Sequence, residues 1–192
     1  RFGLTYQNAN IKYTIGQQVL TLGSLGIMFD NSAYYGKKLS AVKAFKLDAK
    51  AGVVNLGAAY AIMNKGEASS LDQDVKFATF NFNLPVASNT NLGFTYAHAN
   101  SFNTYKARNA YELQADYSFG KAKLFGSYLW TSAATANKSH IIGLEYAPTD
   151  KDLFIVFNHK VEGNGELING MTGLDNNQKG FYYIYLRNIN KN

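Results

Sequence analysis

The chain has no cysteine, and only two prolines and one tryptophan among 192 residues. Without cysteine there is no disulfide framework, no zinc–thiolate site and no cysteine nucleophile. Charged residues make up 17% of the chain, below the roughly 25% usual for a soluble domain. No apolar run approaches about eighteen residues, which excludes a transmembrane helix. The histidines, His98, His140 and His159, are far apart and lack metal-ligand spacing. Gly23-Ser24-Leu25-Gly26 lacks the spacing of a nucleophile elbow. Gly163-Asn164-Gly165 follows a strand pattern but opens no helix, so it is not a dinucleotide loop. The run from Asp175 to Gly180 begins like a calcium loop, but Lys179 stands where a ligand belongs and Leu186 where the bidentate glutamate should be. Glu67, Asp72 and Asp74 read as a solvated acidic loop, with weak divalent-ion binding as the alternative. Basic residues do not interleave with aromatics on a common strand face, which leaves nucleic-acid binding unsupported. No cofactor, metal or catalytic set is expected.

What the chain does have is alternation at a period of two. From Tyr111 to Phe119, Tyr, Leu, Ala, Tyr and Phe take the odd positions, and Glu, Gln, Asp and Ser the even ones. On a strand, successive side chains point to opposite faces, so one face is apolar and the other wettable. Fourteen Tyr, thirteen Phe and 17 Gly suit strands and tight turns more than helices. Strands are expected at 2–7, 10–20, 38–48, 52–63, 74–85, 91–100, 109–119, 122–132, 139–147, 152–161 and 179–189, about eleven in all. No helix-period segment competes. The mean hydropathy of −0.22 does not argue against a membrane barrel, because the polar half of each strand cancels the apolar half.

Short connections fall at Asn8-Ala9, Ala49-Lys50-Ala51, Pro85 to Thr90, Gly120-Lys121 and 148–151, each with Gly, Asn, Asp or Pro turn chemistry. Longer ones, at 21–37, 64–73, 101–108, 133–138 and 162–178, lie between them. A soluble meander has no reason to keep its long loops at one end. An up-and-down barrel in an outer membrane does. The expected fold is therefore all-β, an antiparallel up-and-down transmembrane β-barrel, with residues 1–192 forming a single domain. An odd strand count leaves an unpaired edge that lipid does not tolerate. Strands preceding Arg1, or one merged in this reading, are thus expected, and the chain reads as a mature form or an N-terminally incomplete piece of a larger barrel.

The polar faces supply candidate pore-lining residues: Lys12, Thr14, Gln18, Asn81, Asn83, Glu112, Gln114, Asp116, Glu145, Asn158 and Lys160. A Lys or Arg pointing at lipid costs about 2–4 kcal/mol at the midplane, so these should face water. Phe82, Phe94, Tyr117, Phe119 and Tyr146 fall near the short-turn ends, as in an aromatic girdle. Strands 38–48, 122–132 and 152–161 alternate less cleanly, which suits a subunit contact or a place beneath an inward-folded loop. The net charge of +6 suggests a mild anion preference.

Residues 15–31, IGQQVLTLGSLGIMFDN, resemble the "LGRQ … LG-G … D" segment that precedes the constriction loop of bacterial outer-membrane porins. The likeness is greatest to the barrel region of porins of diderm Firmicutes that also carry an S-layer-homology domain. Tyr-Ala-Pro-Thr-Asp-Lys-Asp at 146–152 is similar to general porins as well. Gln17 stands where the family often has Arg, and the chain ends Asn190-Lys191-Asn192 rather than on the usual aromatic. The resemblance implies a barrel of about sixteen strands, a homotrimer among outer-membrane lipids, and passive diffusion of small hydrophilic solutes. It also implies that loop 21–37 folds inward, with Asp30 opposing Lys37 and Lys38 at the narrowest point, where opposed charges set a transverse field. An external loop with solvated charges fits the same residues. Two other functions stay open: a plugged structural or envelope-tethering barrel, and a soluble lipid-carrying barrel.

Overall fold

A computed structural model describes residues 3–30, 42–64, 73–101, 106–165, 167, 174 and 177–188. The described residues form thirteen strands: β1 (Gly3–Gln7), β2 (Ile11–Gln18), β3 (Thr21–Leu22), β4 (Phe29–Asp30), β5 (Val42–Ala51), β6 (Val54–Met63), β7 (Val75–Ala87), β8 (Thr90–Ala99), β9 (Arg108–Phe119), β10 (Ala122–Thr131), β11 (Lys138–Tyr146), β12 (Asp152–Val161) and β13 (Gln178–Arg187). Eleven of them form one antiparallel sheet in which each strand pairs with the next, with β1 and β13 at its edges. The short pair β3–β4 stands apart. Among the described residues the only helical turn is a 3-10 turn at Ser24–Gly26. The expected strands therefore exist, in order, as an up-and-down meander.

Turn chemistry sets the ends. The Asn8 carboxamide oxygen accepts from the amides of Asn10 and Ile11, closing the first turn. The second turn lies at Gly52-Val53, not at Ala49–Ala51, since Ala51 pairs with Val54. The reason is Gly52, whose φ of +61° only glycine adopts without strain. β7 continues past Pro85 to Ala87, with a register shift between those two residues. Proline is tolerated in a sheet at such a bulge, so the turn moves to Ser88-Asn89.

The two faces of the sheet are unlike. On one, Leu113 is 54% exposed, Ile142 65% and Tyr183 78%. On the other, Glu112, Leu129 and Ile141 are fully buried. Toward the short turns the polar residues sit on the covered side and large apolar ones stand bare on the other, the reverse of a soluble sheet, whereas toward the long connections the covered side is itself apolar. Covering comes from residues 19–30, which fold back onto the sheet. Leu20, Leu22, Ile27, Met28 and Phe29 are buried there, and Phe29 meets Phe77 with ring centroids 4.8 Å apart. Beneath them the wall carries small side chains: Ala44 opposite Ala61, and Ala97 between Thr79 and Ala110. Small residues leave depth for the returning segment. Each large side chain buried against them contributes about 1.5–3 kcal/mol.

Candidate functional site: a polar wall beneath an inward-folded segment

The covered face has two halves. The half near the long connections lies beneath chain. There the Ser24 amide donates to Glu112 Oε1 at 2.8 Å, tying the returning segment to the wall. Gly23 permits this approach: its φ is +79°, and a Cβ would collide with the Glu112 carboxylate. A second segment comes in after β12. Arg108 donates to the Asn164 side-chain oxygen at 3.2 Å, Thr131 Oγ1 to the Asn164 carbonyl at 2.7 Å, and Ser139 Oγ to the Gly165 carbonyl at 2.7 Å. The Leu167 amide donates to the Met28 carbonyl at 3.0 Å, which joins the two segments. Connection 162–178 was expected as an outward loop. Its described start instead folds inward, because Arg108, Thr131 and Ser139 offer donors to its carbonyl and amide oxygens.

The half near the short turns is open and polar. Register places Lys12, Asp48, Gly57, Asn81, Thr95 and Glu112 along one row across six strands. Asn83, Gly93 and Gln114 form the next row. Lys46 and Asp48 are paired at 3.0 Å, and Lys123 and Glu145 at 2.7 Å. Asn91 donates to Asp116 at 2.9 Å, and Gln114 to Thr95 Oγ1 at 3.3 Å. At the opposite, long-connection end of β2, Gln18 donates to the Ala44 carbonyl at 3.0 Å. A cleft of ≈ 260 Å³ runs between the returning segment and this wall, lined by Thr21, Lys46, Asp48, Thr79, Asn81, Thr95 and Gln114 among others.

Of the residues singled out from sequence, Lys12, Thr14, Gln18, Asn81, Asn83, Glu112, Gln114, Asp116 and Glu145 all lie on the covered face. Asp30 sits on β4, where Thr21 Oγ1 donates to it at 3.3 Å. Lys37, Lys38, Glu67, Asp72, Asp175 and the terminal Asn190-Lys191-Asn192 lie outside the described residues. Asn158 and Lys160 are on the bare face: Asn158 pairs with Ile142 and Phe181, and Lys160 with His140 and Lys179. Parity on β12 is set by Phe157, which is buried against Tyr182 with centroids 5.2 Å apart, so its even-numbered residues turn outward. The sequence reading missed Lys46, Asp48, Asn91, Arg108 and Lys123. Arg108 has the parity of Glu112, but its strand was expected to start one residue later. Lys46, Asp48 and Lys123 sit on strands whose alternation is broken.

The bare face carries aromatics at both rims. Near the short turns, Tyr117 stacks near Phe119 at 6.0 Å and Phe154 on Tyr185 at 4.7 Å. Near the long connections, Tyr96, Tyr111, Trp130 and Tyr128 form a chain of rings 5.3, 5.5 and 6.0 Å apart. Amphipathic rings favour the headgroup level of a bilayer. On β12 the bare face runs from Asp152 to Lys160, about 26 Å along the strand, against an apolar band about 25 Å tall in outer-membrane barrels.

No family model and no curated protein matches the chain. Solved structures do match. A triple mutant of the Rh. blastica porin aligns at a TM-score of 0.61 and 13% identity, covering 95% of this chain and 52% of that one. The chain has a porin-type β-barrel fold. A further triple mutant of the Rhodopseudomonas blastica porin aligns at 0.55 and 12% identity, over 81% of this chain and 48% of that one. A porin refined at 1.8 Å aligns at 0.55 and 14%, over 81% and 54%. The chain spans about half the length of the porins it matches. The likeness is to the porin fold at large and does not single out the S-layer-homology subtype.

Proposed function

We propose that this chain forms wall of a water-filled outer-membrane pore through which small hydrophilic solutes and ions diffuse passively. One observation carries the reading: the sheet is inside out, with a bare apolar face rimmed by two aromatic belts and a polar face turned toward a segment folded over it. Hydrocarbon suits the first face and water the second. Exclusion by width, set where residues 19–30 narrow the lumen, and the field of the ion pairs on the polar face do the sorting. Asp30, with Lys37 and Lys38, belongs to that narrowing in this reading. No residue is assigned a catalytic role. Homotrimer assembly, and membership of the S-layer-homology subtype, belong to the same proposal and rest on the resemblance of residues 15–31.

The net charge of +6 does not by itself predict anion preference. Lys12, Lys46, Lys50, Arg108 and Lys123 share the polar face with Asp48, Glu112, Asp116 and Glu145, whereas Lys43, Lys76, Lys138, Lys160 and Lys179 stand on the bare face. Reconstitution into liposomes tests the pore: swelling in small sugars supports it. A plugged structural barrel is the second reading, favoured by the apolar packing of Ile27, Met28, Phe29 and Leu167 on the covered face. Intact insertion without flux would select it.

A further inference from the structure

Cations gather at one place on the bare face. Cross-strand register puts Tyr128 opposite His140, His140 opposite Lys160, and Lys160 opposite Lys179. Lys138 is two residues from His140 on the same face of β11. Like charges directly opposite on neighbouring strands are destabilising, so this row calls for an anion. Glu162 supplies one: its Oε1 accepts from Lys160 Nζ at 2.7 Å and its Oε2 from the Lys138 amide at 3.1 Å. That satisfies a single lysine. Lys138 lies within electrostatic reach of the same carboxylate, and among the described residues neither it nor Lys179 makes a direct ion pair, so three lysines share one carboxylate. Lys43 and Lys76 stand elsewhere on the rim, on either side of Ile62.

A notch lies just below. Ala115 pairs with Gly126 and Gly126 with Ile142, and these small residues sit among Leu113, Phe94 and Tyr128. The groove there holds about 690 Å³ and is lined almost wholly by apolar atoms. Ile142 is two residues from His140, about 7 Å along the strand. The cationic row and the apolar groove therefore adjoin, one at headgroup level and one within the band.

We propose that the bare face of β9–β13 binds one anionic lipid, its phosphate at Lys138, His140, Lys160 and Lys179 and an acyl chain in the groove over Ala115 and Gly126. The site rests on the membrane reading above. A second copy of the chain is the rival occupant. Protein interfaces deplete lysine at their centres, whereas juxtaposed lysines beside an apolar band suit a phosphate headgroup.

Native mass spectrometry of the detergent-solubilised chain, offered phosphatidylglycerol and phosphatidylcholine with identical acyl chains, tests it. Phosphatidylglycerol should be retained about tenfold over phosphatidylcholine. Replacing Lys160→Gln together with Lys179→Gln should bring the ratio to about one. Gly126→Leu should lower retention of both lipids and keep the ratio. That substitution is sterically mild, since a Cβ would lie 3.5 Å from the Ile141 carbonyl oxygen and 3.9 Å from Ile142 Cγ1. Equal retention in the parent, or a preference that survives the double lysine change, overturns the proposal. Equal binding of a lipid with clipped chains assigns the patch to phosphate alone and overturns the acyl site. A lipid-free oligomer that separates when the lysines are replaced assigns the face to a second copy, with the same consequence. Solubility without detergent removes the membrane reading itself, whereas detergent dependence without lipid preference removes only this site.

Discussion

β9 and β12 are built to the same length scale and obey opposite rules. On β9, polarity reports the face: Glu112, Gln114 and Asp116 point to the covered side, Leu113 and Tyr117 to the bare one. On β12 the covered side takes Ile155, Phe157 and Val161, while Asn158 and Lys160 turn outward. The difference teaches that side-chain polarity names a face only where that face meets a single solvent. On β9 the covered side is polar both where it is buried, at Glu112, and where it opens, at Gln114 and Asp116, while the bare side is apolar from Tyr111 to Phe119. β12 packs an aromatic cluster inward, Phe157 with Tyr182 and His159, and its outer end reaches the rim where lysine is welcome.

The largest expected effect probes that cluster. Phe157→Ala should destabilise by about 3–5 kcal/mol, as removal of a buried phenyl leaves a cavity. Phe154→Ala, on the bare face of the same strand, should cost clearly less. Urea midpoints in lipid vesicles compare them, and equal losses would erase the contrast between the two faces of β12. Next, Leu113→Lys should cost about 2–4 kcal/mol in a bilayer, against about 0.5 kcal/mol or less for Gln114→Lys one residue on. If the order reverses, the faces of β9 have been assigned backward. Third, Glu112→Ala should lose about 1–3 kcal/mol, because the Ser24 amide loses its acceptor, and should raise single-channel conductance as residues 19–30 loosen. Unchanged conductance would mean that the apolar contacts of Phe29 and Met28 hold the segment unaided.

The smallest effect concerns Glu162, at the end of β12. Hydrogen bonding to Lys160, then to the Lys138 amide, holds its carboxyl below the ordinary value of 4.5. The sign follows: the depressed value means stabilisation is fully present above 4.5 and is lost as pH falls through the lowered value. The Glu162 side chain is 24% exposed and that of its partner Lys160 46%, so solvent screening keeps the contribution of the pair small. Glu162→Gln should leave the urea midpoint nearly unchanged at neutral pH and flatten its decline in acid. An acid profile identical to the parent's would show the pair to be inert.

Much of the fold could be read from local chemistry. Gly120 with φ +56°, the Asn8 side-chain turn and the strict alternation of β9 each act within a few residues, so strand positions and the sequence of turns followed. The polar row was legible wherever alternation was clean, from Lys12 to Asp116. It was not legible at Lys46, Asp48 or Lys123, whose strands mix apolar residues on both faces. Nor was Asn164 recognisable as a ligand for Arg108, 56 residues away.

By itself the sequence determined that this chain makes strands, how many lie in a row, and which end gathers the short turns, because a period of two and the φ preferences of Gly, Asn and Pro are local properties. Tertiary structure alone decided which face of β12 is covered, how residues 19–30 lie over the alanines of the wall, and that Ser24 meets Glu112 across 88 residues of chain. Those choices depend on volume and hydrogen-bond partners that exist only once distant strands have come side by side.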